Sequence, residues 1–128
     1  MYMKGNVQIY SAGKQAADIS AFPEGIAVAV GSEEDVPDIC PDQTIDKVFT
    51  IENLTSFYRF KQEHSLVIYL GGYHNHSRRN LLMQIYQKLP DAQYYHFGDL
   101  DAGGFYILEH LKRKTGIHFK CFKWTLKH

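Results

Sequence analysis

Apolar residues fall along this chain in short runs separated by polar, glycine-bearing and proline-bearing stretches, and the runs set the expected elements. Residues 26–30 read Ile-Ala-Val-Ala-Val and predict a buried strand. Upstream, Met1 to Pro23 is weakly patterned, with a short strand at Val7 to Tyr10 and a loop or short helix at Gly13 to Ser20. Residues 31–44 carry Glu33, Glu34, Asp35, Asp38 and Asp42 with Pro37 and Pro41, and read as a loop. A firmer rhythm follows. Lys47 to Ile51 is rich in β-formers, Asn53 to Gln62 has helical character, and Leu66 to Leu70 is a continuous apolar run, as expected of a strand covered on both faces. Gly71-Gly72 ends it. Arg78 to Lys88 is amphipathic, with Leu81, Leu82, Ile85 and Leu89 on one side and Pro90 as its stop. A strand at Ala92 to Phe97, a helix at Gly104 to Thr115 and a strand at Ile117 to Phe122 complete the series. Strands alternating with helices imply right-handed crossovers, hence an α/β fold with a mainly parallel central sheet and helices on both faces. The expected organisation is one compact domain: a lead-in over residues 1–45 with one or two strands, and a core over residues 46–128.

Composition adds three constraints. An apolar content of 45 % over 128 residues is enough for a real core and excludes a disordered chain. Lys and Arg total 14, as do Asp and Glu, so the formal charge is zero and the basic footprint of a free-standing DNA binder is missing. If DNA is the substrate, bound metal or a companion domain must supply positive charge. Cys40 and Cys121 form no CxxC pair, which argues against a zinc site and for two reduced thiols in a cytoplasmic protein. Met1 to Gly13 has no apolar signal-peptide region, and no apolar run approaches the roughly 18 residues that a membrane span needs.

Ligands of open α/β sheets bind at the carboxyl ends of the strands. Here that rule selects Glu52-Asn53, Gly71 to His76 and Gly98 to Gly104. Asp99 and Asp101 sit in Phe-Gly-Asp-Leu-Asp-Ala-Gly-Gly. In extended backbone, residues two apart project to one side, and two such carboxylates repel unless a cation lies between them. Mg²⁺ suits the arrangement, since it takes oxygen ligands and retains waters for substrate phosphate. Gly103 and Gly104 open the next helix, where small residues let a phosphate approach backbone N–H groups. The alternative for the Asp pair is structural: Asp101 as a helix N-cap and Asp99 as a turn former. Glu52 is expected at the same sheet edge as the pair. Its own alternative is a first-turn acid that complements the helix dipole, with Asn53 as the cap.

The order strand–Glu–helix, strand–Gly-Gly, strand–Asp-x-Asp–helix resembles a Toprim domain, the fold shared by topoisomerases, bacterial primases and some nucleases. More narrowly, Thr50-Ile51-Glu52-Asn53-Leu54-Thr55-Ser56-Phe57, then Gly71-Gly72, then Phe97-Gly98-Asp99-Leu100-Asp101-Ala102-Gly103-Gly104-Phe105 resembles the C-terminal domain of the Wadjet nuclease subunit JetD, itself related to the topoisomerase VI A subunit. The match runs over about residues 24–122. The resemblance implies a Toprim-like Rossmannoid three-layer sandwich. It implies that Asp99 and Asp101 bind Mg²⁺, with Mn²⁺ as a substitute, and that Glu52 binds metal or handles a proton. It also implies double-stranded DNA as substrate and condensin-like Wadjet subunits as partners. This length does not accommodate the N-terminal arm and winged-helix-like region of such proteins, so a fragment or truncated homologue is expected. Topoisomerase VI relatives attack DNA with a tyrosine on a separate domain, and none of the 9 Tyr here takes that role by motif. The oligomeric state is open, a homodimer being one option.

Other signals are weaker. Gly71, Gly72, His74, His76 and Arg78 lie near the expected ligand edge, where phosphate contact competes with a solvated loop and an exposed charged helix face. The contiguous His74-Asn75-His76 is not the dispersed motif of HNH nucleases. His64, His96, His110 and His118 are scattered singly, without metal-ligand spacing. Tyr94-Tyr95 and the Phe49, Phe57, Tyr58 and Phe60 group read as packing, and Lys112-Arg113-Lys114 as cations at a helix C-terminus. The leading function is a Mg²⁺-dependent DNA-cleaving domain. The alternative is a non-catalytic domain of the same fold that docks DNA or partner subunits. A haloacid-type phosphatase ranks low, because its Asp-x-Asp follows the first strand and this one follows a late strand.

Overall fold

The computed structural model describes residues 1–28, 37–70, 76–98 and 102–122, the last two segments opening with backbone alone at 76 and 102–105. In chain order the elements are β1 (Tyr2–Lys4), β2 (Val7–Ser11), β3 (Lys14–Asp18), a 3₁₀ turn (Ile19–Ala21), β4 (Ile26–Ala27), β5 (Asp38–Pro41), β6 (Lys47–Ile51), α1 (Leu54–Arg59), β7 (Ser65–Tyr69), α2 (His76–Lys88), β8 (Gln93–Phe97), α3 (Ala102–Thr115) and β9 (Lys120–Cys121). A six-stranded sheet has the order β4-β1-β7-β6-β8-β9, and a separate three-stranded sheet the order β3-β2-β5. β7, β6, β8 and β9 run parallel, while β1 and β4 add on antiparallel. The α/β class and the mostly parallel sheet agree with the sequence pattern.

Strand periodicity divides the core in two. Val48, Leu66, Ile68, Leu70 and Tyr94 share one cluster with Leu81, Leu82 and Ile85 of α2, Leu108 and Leu111 of α3, and Val7, Ile9 and Ile39 of the small sheet. Phe49, Ile51 and Val67 point to the opposite face, against Phe57 and Phe60 of the α1 segment. Phe49 stacks on Tyr95 at 5.2 Å between centroids. Fully burying a side chain such as Leu82 or Phe57 contributes about 1.5–3 kcal/mol.

Helix ends follow local chemistry. Asn53 caps α1, its side chain accepting the Ser56 N–H at 3.1 Å. α3 stops at Gly116, whose φ of 73° is the left-handed conformation that glycine tolerates and whose N–H donates to the Lys112 carbonyl at 2.9 Å.

Several expectations need correction. Residues 1–45 supply β1 to β5, where one or two strands were expected. Of Gly13 to Ser20, expected as a loop or short helix, Lys14–Asp18 is β3, and only Ile19 and Ser20 enter a short 3₁₀ helix. The two-residue link between β2 and β3 is Ala12 (φ 52°) and Gly13 (φ 79°), the paired positive φ values of a hairpin turn. The acidic stretch thought to be loop contains β5, with Ile39 and Pro41 buried. Ile26-Ala27 is a two-residue edge strand with Ala27 exposed, not a buried one, and positions 29 and 30 lie outside the described residues. The last strand shrinks to Lys120–Cys121, although Ile117 and Phe119 before it are buried. Tyr58 is 43 % exposed and leaves the aromatic core assigned to it. Cys121 is exposed and Cys40 half-buried, both as free thiols.

Candidate functional site

Parallel pairing brings the carboxyl ends of β7, β6 and β8 to one level. Ile51 is opposite Tyr69 on one side and Phe97 on the other. The ladder then closes with Leu70 N–H donating to the Ile51 carbonyl (2.9 Å) and Glu52 N–H donating to the Phe97 carbonyl (3.1 Å). Glu52, Leu70 and Gly98 therefore stand side by side where the three strands end. Each strand then feeds a helix: α1 after β6, α2 after β7, α3 after β8.

Glu52 precedes the Asn53 cap, and α1 has no acid in its first turn. Glu52 thus stands just before the first turn, while Asn53 is the expected cap. The Glu52 carboxylate turns to the neighbouring strand, where Oε1 lies 3.0 Å from His96 Nε2. The other ring nitrogen, Nδ1, is 2.7 Å from Thr50 Oγ1. His96 is 2 % exposed and the Glu52 side chain 13 %. Strand periodicity explains the grouping. Thr50 and Glu52 are two apart and share a face, and the β6–β8 register sets Thr50 directly opposite His96. That face also carries Val48, Leu66, Ile68 and Tyr94, so the polar trio lies beside the apolar core under α2 and α3.

Gly98 completes the surroundings of Glu52. A Cβ at position 98 would overlap the Glu52 carboxylate, standing 2.6 Å from Cδ and closest to Oε2. One carboxylate oxygen thus faces the imidazole, and the other faces the residue that leads into Asp99. Asp99 and Asp101 lie outside the described residues, as do Gly71, Gly72 and His74. His76 opens α2 and Gly103 and Gly104 fall in the first turn of α3. The Arg78 guanidinium donates to the Leu70 carbonyl, tying α2 to the end of β7. Among the described residues no three His, Cys, Asp or Glu side chains cluster. The described acid fits a hard divalent cation nonetheless: Glu52 offers carboxylate oxygen, and its Oε2 lies against Gly98.

His96 is the residue that sequence reasoning missed. Its usable signal was parity: a histidine two residues before Gly98 shares a face with Tyr94, and Thr50-x-Glu52 repeats that spacing one strand away. Histidine spacing along the chain cannot register a contact made across a sheet.

Comparison with known proteins fits this picture. A Wadjet protein JetD from Bacillus cereus (strain Q1) is 34 % identical over 118 residues, covering 88 % of this chain and 28 % of the relative. The chain therefore corresponds to under a third of that protein. No solved structure matches it. The family model described as Wadjet protein JetD, C-terminal, matches residues 34–123, spanning Glu52, His96, Gly98, Asp99 and Asp101, and the chain belongs to that family.

Proposed function

We propose that this chain is the Toprim-like, Mg²⁺-dependent DNA-cleaving domain of a Wadjet-type plasmid-defence nuclease, acting on double-stranded DNA together with other domains and condensin-like subunits. One observation carries the reading. Glu52 ends the central strand of a parallel sheet and lies against Gly98, the residue that leads into Asp99-x-Asp101. Membership of the JetD family supplies the context.

Glu52, Asp99 and Asp101 would hold Mg²⁺, with Mn²⁺ as substitute. When bound, the cation supplies Lewis acidity toward a phosphodiester and a lowered pKa for water. Glu52 offers Oε2 as a ligand or proton acceptor while Oε1 takes the imidazole. Gly98 leaves room for that carboxylate. Phosphate contact is assigned to Gly71, Gly72, His74, His76, Gly103 and Gly104. Arg78 is a weaker candidate, because its guanidinium also serves the Leu70 carbonyl.

A Mn²⁺ titration followed by electron paramagnetic resonance tests the site directly. The chain should bind Mn²⁺, and Asp99→Ala and Asp101→Ala should each weaken binding at least tenfold, since each removes an oxygen ligand. Unchanged binding in both variants sinks the proposal. The formal charge of zero favours a second reading, a non-catalytic domain that docks DNA or partner subunits. That reading expects no metal dependence in any DNA or partner contact.

A further inference from the structure

We infer that His96 is a positioning residue for Glu52, with Thr50 holding the orientation of its ring. The inference rests on the metal-site reading of Glu52 and extends it to two residues that the acidic motif does not include.

The hydrogen-bond roles follow from the donor inventory. An ionised carboxylate only accepts, so His96 Nε2 must carry the proton shared with Glu52 Oε1. Thr50 Oγ1 lies 2.7 Å from His96 Nδ1 and donates to the Tyr95 carbonyl at 3.4 Å, so the ring is held from its far side by a hydroxyl that both gives and takes a proton. Thr50 holds the ring, the ring points an N–H at Oε1, and Oε2 is left facing Gly98.

Stability alone is a poor reason for this arrangement. Thr50 and His96 are buried beside Val48, Leu66, Ile68 and Tyr94. Apolar side chains of similar volume would fill that layer without the cost of desolvating polar groups. A histidine that donates to a carboxylate ligand is instead the supporting contact that fixes a ligand's orientation at metal sites, and its loss weakens metal binding about 10–100-fold. No metal-ligand spacing links His96 to the acids along the chain. The contact exists because β8 lies beside β6.

The test uses the full chain at one pH, with Mn²⁺ as probe and ¹⁵N-labelled histidine as reporter. The His96 ring should show a protonated Nε2, and Glu52→Gln should shift the Nε2 resonance. His96→Phe keeps the ring shape and removes both polar contacts, so Mn²⁺ affinity should fall about 10–100-fold with the circular dichroism spectrum retained. His96→Gln, whose amide N–H can reach Oε1, should recover most of the loss. Thr50→Val should loosen the ring and weaken Mn²⁺ binding several-fold. It decides the matter if His96→Phe does not fold. Wild-type Mn²⁺ affinity in folded His96→Phe or, failing that, in Thr50→Val overturns the inference. If the unsubstituted chain binds no Mn²⁺, the metal-site reading fails and the ring spectrum alone judges His96. An unprotonated Nε2, or an Nε2 resonance unmoved by Glu52→Gln, overturns its positioning role.

Discussion

Position 98 has room for a hydrogen and little else. Gly98 is not in a left-handed conformation, so alanine there is conformationally ordinary; the obstacle is the Glu52 carboxylate that already fills the Cβ position. That carboxylate is the far end of a flexible side chain and can swing aside. Gly98→Ala should therefore cost only about 1 kcal/mol of stability, the low end of overpacking. The same swing breaks the contact with His96 Nε2, so Mn²⁺ affinity should fall about tenfold or more. Paired urea and Mn²⁺ titrations would show this, and equal damage to both would mean that position 98 matters only for packing. At this scale the sequence was informative about acids and silent about their support. Glu52 stood out because it follows an apolar β run. His96 did not, because its partners Thr50 and Glu52 are 46 and 44 residues away along the chain.

Among the elements, the junction between α2 and β5 holds the small sheet to the large one. β5 pairs with β2 along one edge only. On its other edge the Gln84 side chain of α2 substitutes for a strand, its Oε1 accepting the Ile39 N–H at 2.8 Å and its Nε2 donating to the Pro37 carbonyl at 3.3 Å. Gln84→Leu strands the Ile39 N–H and should cost about 1–3 kcal/mol, read as a lower urea midpoint at unchanged slope. Lys88 adds a second tie, donating to Asp38 and, at 2.6 Å, to the Ile39 carbonyl. The Lys88 hydrogen bond holds the Asp38 carboxyl below its ordinary value of 3.8. A lowered carboxylate stabilises the fold above its unfolded value, and that contribution disappears as pH falls through the lower folded value. Lys88→Met should accordingly flatten the acid limb of stability below about pH 4, the unfolded Asp range. A thermal-melt series from pH 2 to 6 measures it, and an unchanged limb would remove Asp38 from the account. β5 was hidden in the sequence by its composition. Asp38-Ile39-Cys40-Pro41 carries an acid and a proline, which edge strands tolerate and central strands do not. By contrast β6 and β7 were legible because burial on both faces makes their runs largely apolar, and β8 because its aromatic residues lie between a proline stop and a glycine.

At the scale of the whole molecule, the parallel strands were readable from the alternation of apolar runs and amphipathic helices. β1 was not, nor was the antiparallel pairing of β4, whose strand alone was expected, since short antiparallel additions leave no helix between them and their neighbours to mark the crossover. The parallel core sets the chemistry, because it gathers the ends of β6, β7 and β8 on one edge. Charge sets the limit. The chain carries no net positive charge, so it has few counterions to release from a phosphate backbone and should hold DNA weakly by itself. Its curated relative is longer, the chain covering 28 % of it. We therefore expect metal-dependent plasmid cleavage in a full-length JetD that carries this domain, and little or none by these 128 residues alone. On the proposed reading, Asp99→Ala or Asp101→Ala in the longer protein removes a metal ligand. Losing about 3–4 kcal/mol of transition-state stabilisation slows cleavage by roughly 10²–10³-fold. The fold should survive, and without metal the melting temperature should hold or rise, because the proposed site gathers like charges and one of them is gone. Agarose-gel cleavage assays with and without Mg²⁺, beside calorimetry of the same variants, separate the outcomes. Full cleavage by the Asp99→Ala protein would refute the metal site, and strong cleavage by the 128-residue chain would show that gripping the DNA needs no other domain.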